Sequence, residues 1–267
     1  MEIGRLKRII DYSDRCGCEI QKKVQDFYGY IGMEQDKELR NLMQIVRPLF
    51  QKKGFIIVEI PFKDKEIGAV CYKGDALGYS FLNTTLPRAN VNFALCHEIY
   101  HLFYQKDGMK KIVELYINEH YHEYEEELAA NLFAGMLLMP EQSYRYMFDK
   151  FAKEDDSRFS ILVKLMSYFE VPYMAALIRC YELKLLESGD TLKELIQMKA
   201  EDVRAEFARL WLDESILEAT KKDDYEKFES LIRYFGEEYQ KDGYFNQRAL
   251  QKAVKNMRIL YEKIKGE

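Results

Sequence analysis

His97-Glu98-Ile99-Tyr100-His101, set between Asn92-Phe93-Ala94-Leu95-Cys96 and Leu102-Phe103-Tyr104, decides how this chain is read. Two histidines four residues apart lie one turn apart on a single helix face, so both rings can reach one ion. The glutamate between them is then placed to take a proton from water beside that ion. The flanks are apolar or aromatic, which predicts a helix buried on most sides. A buried helix does not carry two histidines and a glutamate without partners, because unpaired buried polar groups are costly. The competing reading, a surface helix with ordinary polar residues, leaves the apolar flanks unexplained.

A catalytic zinc site takes a third protein ligand and keeps its fourth position for water. The extended motif H-E-x-x-H-x-x-G-x-x-H is absent: Tyr104 stands at the glycine position and Asp107 at that of the last histidine. Without the glycine the chain does not turn back in time, and Asp107 is a poor ligand. Residues 125–140 supply a better one. Leu128, Leu132, Phe133, Met136 and Leu137 recur at helical spacing and Pro140 closes the helix. Glu127 and Asn131 are four apart and share a face. Glu127 is thus a candidate metal ligand, and Asn131 a candidate to hold one of the ligating histidines through its second ring nitrogen. Glu126 is the rival to Glu127, which is preferred because the apolar stripe sets it beside the core. Carboxylates also suit a helix N-terminus, so the other members of Glu125-Glu126-Glu127 can face water.

These two stretches together resemble the ImmA/IrrE-type metallopeptidases. The resemblance rests on Phe93-Ala94-Leu95-Cys96-His97-Glu98-Ile99-Tyr100-His101 followed by Glu127, Asn131, Phe133-Ala134 and Leu137-Leu138-Met139-Pro140, and extends from about Gly54 to about Leu186. Proteins of that type are intracellular bacterial and phage-borne zinc proteases that cleave helix-turn-helix repressors. The resemblance implies His97, His101 and Glu127 as ligands of Zn2+ and Glu98 as general base. Cys96, Tyr100 and Ala129 depart from the residues usual there, and none is a ligand position. Cys96 reads as a buried inert thiol.

The rest of the chain fits this frame. Its 267 residues, 48% hydrophobic, are enough for a substantial core in one or two domains. A formal net charge of −5 argues against direct nucleic-acid binding, which wants a basic face. Five cysteines without a paired framework suit a reducing compartment. Cys16-Gly17-Cys18 has no partner pair and reads as incidental. No apolar run is long enough to span a membrane, and Asp11 interrupts Ile9-Ile10 too early for a signal peptide. A cytoplasmic protein is expected.

The expected fold is α+β and mostly α, with a small β-sheet packed on the active-site helix pair and a helical C-terminal region. Four segments are expected: 1–53, helical; 54–140, the zinc metallopeptidase core; 141–187, companion helices of helix-turn-helix proportions; and 188–267, a charged helical region. β-Branched runs place strands at 55–60, 68–73 and 76–82, and a short helix is expected at 110–117. The helix pair at 159–169 and 174–186 has few basic or amide side chains to read bases, so a structural role is preferred to DNA binding. An edge of the sheet offers main-chain groups along which a substrate could lie. His120, His122 and Tyr104 are candidates for stabilising the tetrahedral transition state. The expected partner is a protein substrate, a repressor by resemblance. The alternative is a proteolytically silent metal-binding regulatory protein. The sequence carries no signal of oligomeric state.

Overall fold

The structure is a computed structural model. It describes residues 2–34, 38–39, 41–52, 54–73, 78–104, 113–116, 125–153, 157–186, 190–241 and 247–266. The N-terminal segment opens on one long helix, α1 (Ile3–Ile31), with Leu6, Ile20, Val24 and Phe27 buried along one side. It ends at Gly32, whose φ of 70° is the left-handed conformation that closes a helix and that glycine adopts without a Cβ penalty. Helix α2 (Leu42–Lys52) follows and buries Val46 and Phe50.

Strands β1 (Phe55–Ile60), β2 (Ile67–Lys73), β3 (Gly78–Asn83) and β4 (Val113–Tyr116) form a sheet of order β1-β3-β2-β4. β1 and β3 are parallel, and the other pairs are antiparallel. β4 corrects the helix expected at 110–117: its residues 113–116 pair with β2. The free edge of β2 supplies main-chain partners, and the Val113-Glu114-Leu115-Tyr116 run suits a strand, so tertiary pairing outweighs a short helical pattern.

Side chains alternate across the sheet as the period of two requires. Ile57, Ala69, Cys71 and Leu82 face the main helical core, whereas Ile56, Val58, Ile60, Val70 and Phe81 face the other way. Helix α3 (Arg88–Tyr104) lies over β2 and β3 and is buried nearly all round, from Ala89 to Leu102. Helix α4 (Glu125–Leu138) runs along α3, and α1 packs on α4. Helices α5 (Glu141–Ala152), α6 (Arg158–Phe169) and α7 (Tyr173–Glu182) extend the same core. Buried residues of α7 include Ala176, Leu177, Arg179 and Cys180, so this helix is a packing element. No single helix among the described residues is long and apolar enough to cross a membrane; α6 and α7 reach that length only together, across a 107° bend.

Beyond α8 (Asp190–Gln197) and α9 (Ala200–Arg209), a 3-10 turn at Glu214–Leu217 leads into the hairpin of α10 (Tyr225–Lys241) and α11 (Gln247–Lys265). Tyr225, Phe228, Ile232, Leu250 and Val254 of this hairpin cover the far face of the sheet. The sheet is thus sandwiched between helical layers. The segment before α10 is stitched to the start of α3. Arg88 N donates to Glu218 O (3.0 Å), Lys221 N to Thr84 O (2.9 Å) and Asp224 N to Glu59 O (2.8 Å). Asn83 fixes the other side of that loop. Its Nδ2 donates to the carbonyls of Asp64 (2.9 Å) and Ile67 (2.7 Å), and its Oδ1 accepts from Phe62 N and Thr85 N.

Candidate metal centre

Helices α3 and α4 bring three side chains to one point. His97 and His101, one turn apart on α3, are both essentially buried, and Glu127 projects from the first turn of α4. His97 Nε2 lies 2.9 Å from His101 Nε2 and 3.1 Å from Glu127 Oε2, and His101 Nε2 lies 3.5 Å from Glu127 Oε1. Among the described residues this is the one group of three side chains spaced to share a metal ion. Glu125 and Glu126 on the same turn face solvent, and Glu125 pairs with Arg15 at 3.8 Å. The apolar stripe therefore chooses which of three consecutive glutamates turns inward.

The donor set fits zinc. Ligand atoms at 2.0–2.1 Å around a tetrahedral ion stand about 3.3 Å apart, and the observed separations of 2.9, 3.1 and 3.5 Å bracket that spacing. The second ring nitrogen of His97, Nδ1, lies 3.0 Å from Asn131 Oδ1. Oδ1 only accepts, so the proton sits on Nδ1 and the Nε2 lone pair is left facing Glu127. Lone pairs of His97 and of the Glu127 carboxylate thus point into one space, an arrangement that a cation reconciles. Burial disfavours the charged His97 ring, but Glu127 outweighs it and holds the imidazole pKa above its ordinary value.

Glu98, on the next position of α3, is 1% exposed, and among the described residues its carboxylate oxygens meet no nitrogen or oxygen donor, only the Cys71 thiol. Burial raises its pKa to about 7; the nearby His97 ring and the Cys71 thiol on β2 pull it down by less. Cys71 stands opposite Ser80 in the β2–β3 register. Ser80 is buried, and its hydroxyl has no hydrogen-bond partner among the described residues. Sequence reasoning missed this pair, because only the sheet register brings two residues nine positions apart in the chain beneath the metal helix.

Tyr104 is committed to the scaffold: its hydroxyl donates to the Lys23 carbonyl of α1 at 2.8 Å. Its neighbour Tyr100 accepts from Lys23 Nζ at 3.2 Å, so α1 braces α3 through both rings. Cys96 is fully buried and desolvation pushes its thiol pKa well up, consistent with an inert thiol. His120, His122 and Asp107 lie outside the described residues. Arg179 of α7 supports the site from behind: its Nε donates to the Met139 carbonyl just past α4 (3.1 Å), and its Nη1 pairs with Glu182 (2.9 Å).

The peptidase M78 family model, described as an IrrE N-terminal-like domain, matches residues 50–181, which include α3, α4 and the companion helices through α7. None of the curated proteins matches the chain. Residues 50–181 thus match a metallopeptidase domain of the ImmA/IrrE type.

Proposed function

We propose that the protein is a zinc-dependent endopeptidase that cleaves an intracellular protein, a helix-turn-helix repressor being the substrate class the family resemblance favours. The observation that carries this reading is the convergence of His97, His101 and Glu127 beside a buried carboxyl, Glu98, that faces the Cys71 thiol and no charged partner other than the site itself. His97, His101 and Glu127 would hold the ion, with Asn131 orienting His97. Zinc bound there supplies Lewis acidity, acidifying water and polarising a peptide carbonyl. Glu98 takes a proton from the attacking water on its carboxylate and delivers it to the leaving amine nitrogen. A carboxyl with a pKa near 7 is suited to both steps. The outer edge of β4, beside the strand over which α3 lies, is the edge along which a substrate backbone would run.

The test pairs Glu98→Gln with His101→Ala in purified protein. Zinc per chain is measured by elemental analysis, and cleavage of a helix-turn-helix repressor encoded beside the gene is followed by mass spectrometry. Glu98→Gln keeps about one zinc and loses cleavage, while His101→Ala loses both. Unchanged cleavage by Glu98→Gln would remove the base from this site. Zinc retention without cleavage of any candidate by the wild-type protein would favour a silent metal-binding regulator.

A further inference from the structure

The sheet has a second edge, on the side away from α3, and its geometry points to a docking slot for an extended peptide. In a strand, the N–H and C=O of one residue point to the same edge, and successive residues alternate. Thr84 N donates to Ile60 O, so the even-numbered residues of β1 pair with β3; Asp224 N donates to Glu59 O, so the odd-numbered ones point outward. The outward main-chain groups of Phe55 and Ile57 have no hydrogen-bond partner among the described residues. Unpaired strand edges are normally blunted or covered.

Here the edge opens into a pocket of about 130 Å3 walled by α2 on one side and α10 on the other. Gln51 and Arg47 stand on the α2 side, and Lys227, Phe228 and Leu231 on the α10 side. At the Glu59 end sits a charge cluster. Arg47 pairs with Glu59 (2.6 Å) and Asp224 (3.5 Å), Lys222 with the same two carboxylates (2.6 and 2.9 Å), and Lys227 with Asp224 (3.0 Å). Three cations against two carboxylates leave one positive charge over, and the Lys227 side chain is 81% exposed.

We propose that this slot binds an extended segment of a partner protein by strand addition to β1, with apolar side chains entering between Phe228 and Leu231 and an acidic residue meeting Lys227 and Arg47. Alternating free donors and acceptors are complemented by another main chain rather than by a compact small molecule. α2 and α10 flank the edge on its two faces, so the strand enters between Arg47 and Gln51 on one side and Lys227, Phe228 and Leu231 on the other. The site is separate from the metal centre. α3 packs on β2 and β3, and β1 is the outermost strand beyond β3. The proposal therefore does not depend on the peptidase reading.

The test uses the full chain and a fluorescein-labelled, end-blocked heptapeptide alternating valine with glutamate, beside a twin in which lysine replaces glutamate. Fluorescence anisotropy and hydrogen exchange are the readouts. The glutamate peptide binds about tenfold tighter than the lysine peptide, Lys227→Glu reverses that order, and exchange across residues 55–59 slows on binding. Ile57→Pro removes an outward N–H without removing a β1–β3 bond, and weakens binding of the glutamate peptide about tenfold. His101→Ala, which dismantles the metal centre, binds the peptide as the wild type does. Unaltered exchange over 55–59 at saturating peptide would overturn the proposal. So would loss of binding in His101→Ala, which would put the peptide at the active site. Concentration-dependent dimerisation that protects the same amides would assign the edge to a second copy of the chain instead.

Discussion

Residue by residue, the site is defined by who turns inward and what each polar group meets. Glu98 has the least ordinary environment. Its folded pKa of about 7 lies above the ordinary carboxylate value of 4.5, so the metal-free native state holds its proton across that interval while the unfolded chain gives it up. Stability contributed by the neutral form is full below 4.5 and is lost as pH rises through about 7. Glu98→Gln should therefore stabilise the metal-free protein at pH 8 by on the order of 2–3 kcal/mol, and by much less at pH 5, read from urea midpoints in chelator. The same variant lowers kcat for the candidate substrate by about two to four orders of magnitude with zinc retained. Asn131→Ala leaves His97, His101 and Glu127 in place but frees the His97 ring. Zinc affinity should fall about 10- to 100-fold in a competition titration against a chromophoric chelator. An unchanged affinity would mean that Asn131 merely packs beside the ring.

At the scale of elements, α3 and α4 make the site, and their neighbours hold them in register. Arg179 is the clearest brace, because it links α7 to the main chain just past α4 while neutralising Glu182, whose own pKa burial pushes up. Arg179→Leu leaves that carboxylate buried without its partner and should cost about 3–5 kcal/mol in chemical denaturation. A loss below about 1 kcal/mol would show that Glu182 simply takes up a proton at no consequence to the fold. The element most poorly read from sequence is β4. A run of four residues carries little periodic information, and only the waiting edge of β2 makes it a strand.

For the whole molecule, the C-terminal hairpin decides the architecture. It covers the second face of the sheet through Phe228, Ile232 and their neighbours, and Phe228 packs edge-on against Phe81 with ring centroids 5.4 Å apart. Phe228→Ala should destabilise the protein by about 3–5 kcal/mol, and the metal centre should melt in the same transition. Melting of the hairpin alone, with zinc still bound, would make the C-terminal region an independent module. The stitching of Glu218, Lys221 and Lys222 to the loop before α3 gives the physical reason to expect one transition.

The sequence by itself determined the helix that carries His97 and His101 on one face, the mostly helical α+β class and the second helix bearing Glu127. Each depends on spacing within one helix, where residues three or four apart share a face whatever surrounds them. It also determined β1, β2 and most of β3, because their β-branched and aromatic runs are local signals. The tertiary structure alone decided which edges the strands present, that Cys71 and Ser80 meet beneath α3, that Tyr104 is spent on α1, and that the last two helices cap the sheet. These depend on pairings between positions far apart in the chain, and an apolar stripe states only that a helix packs, not against what.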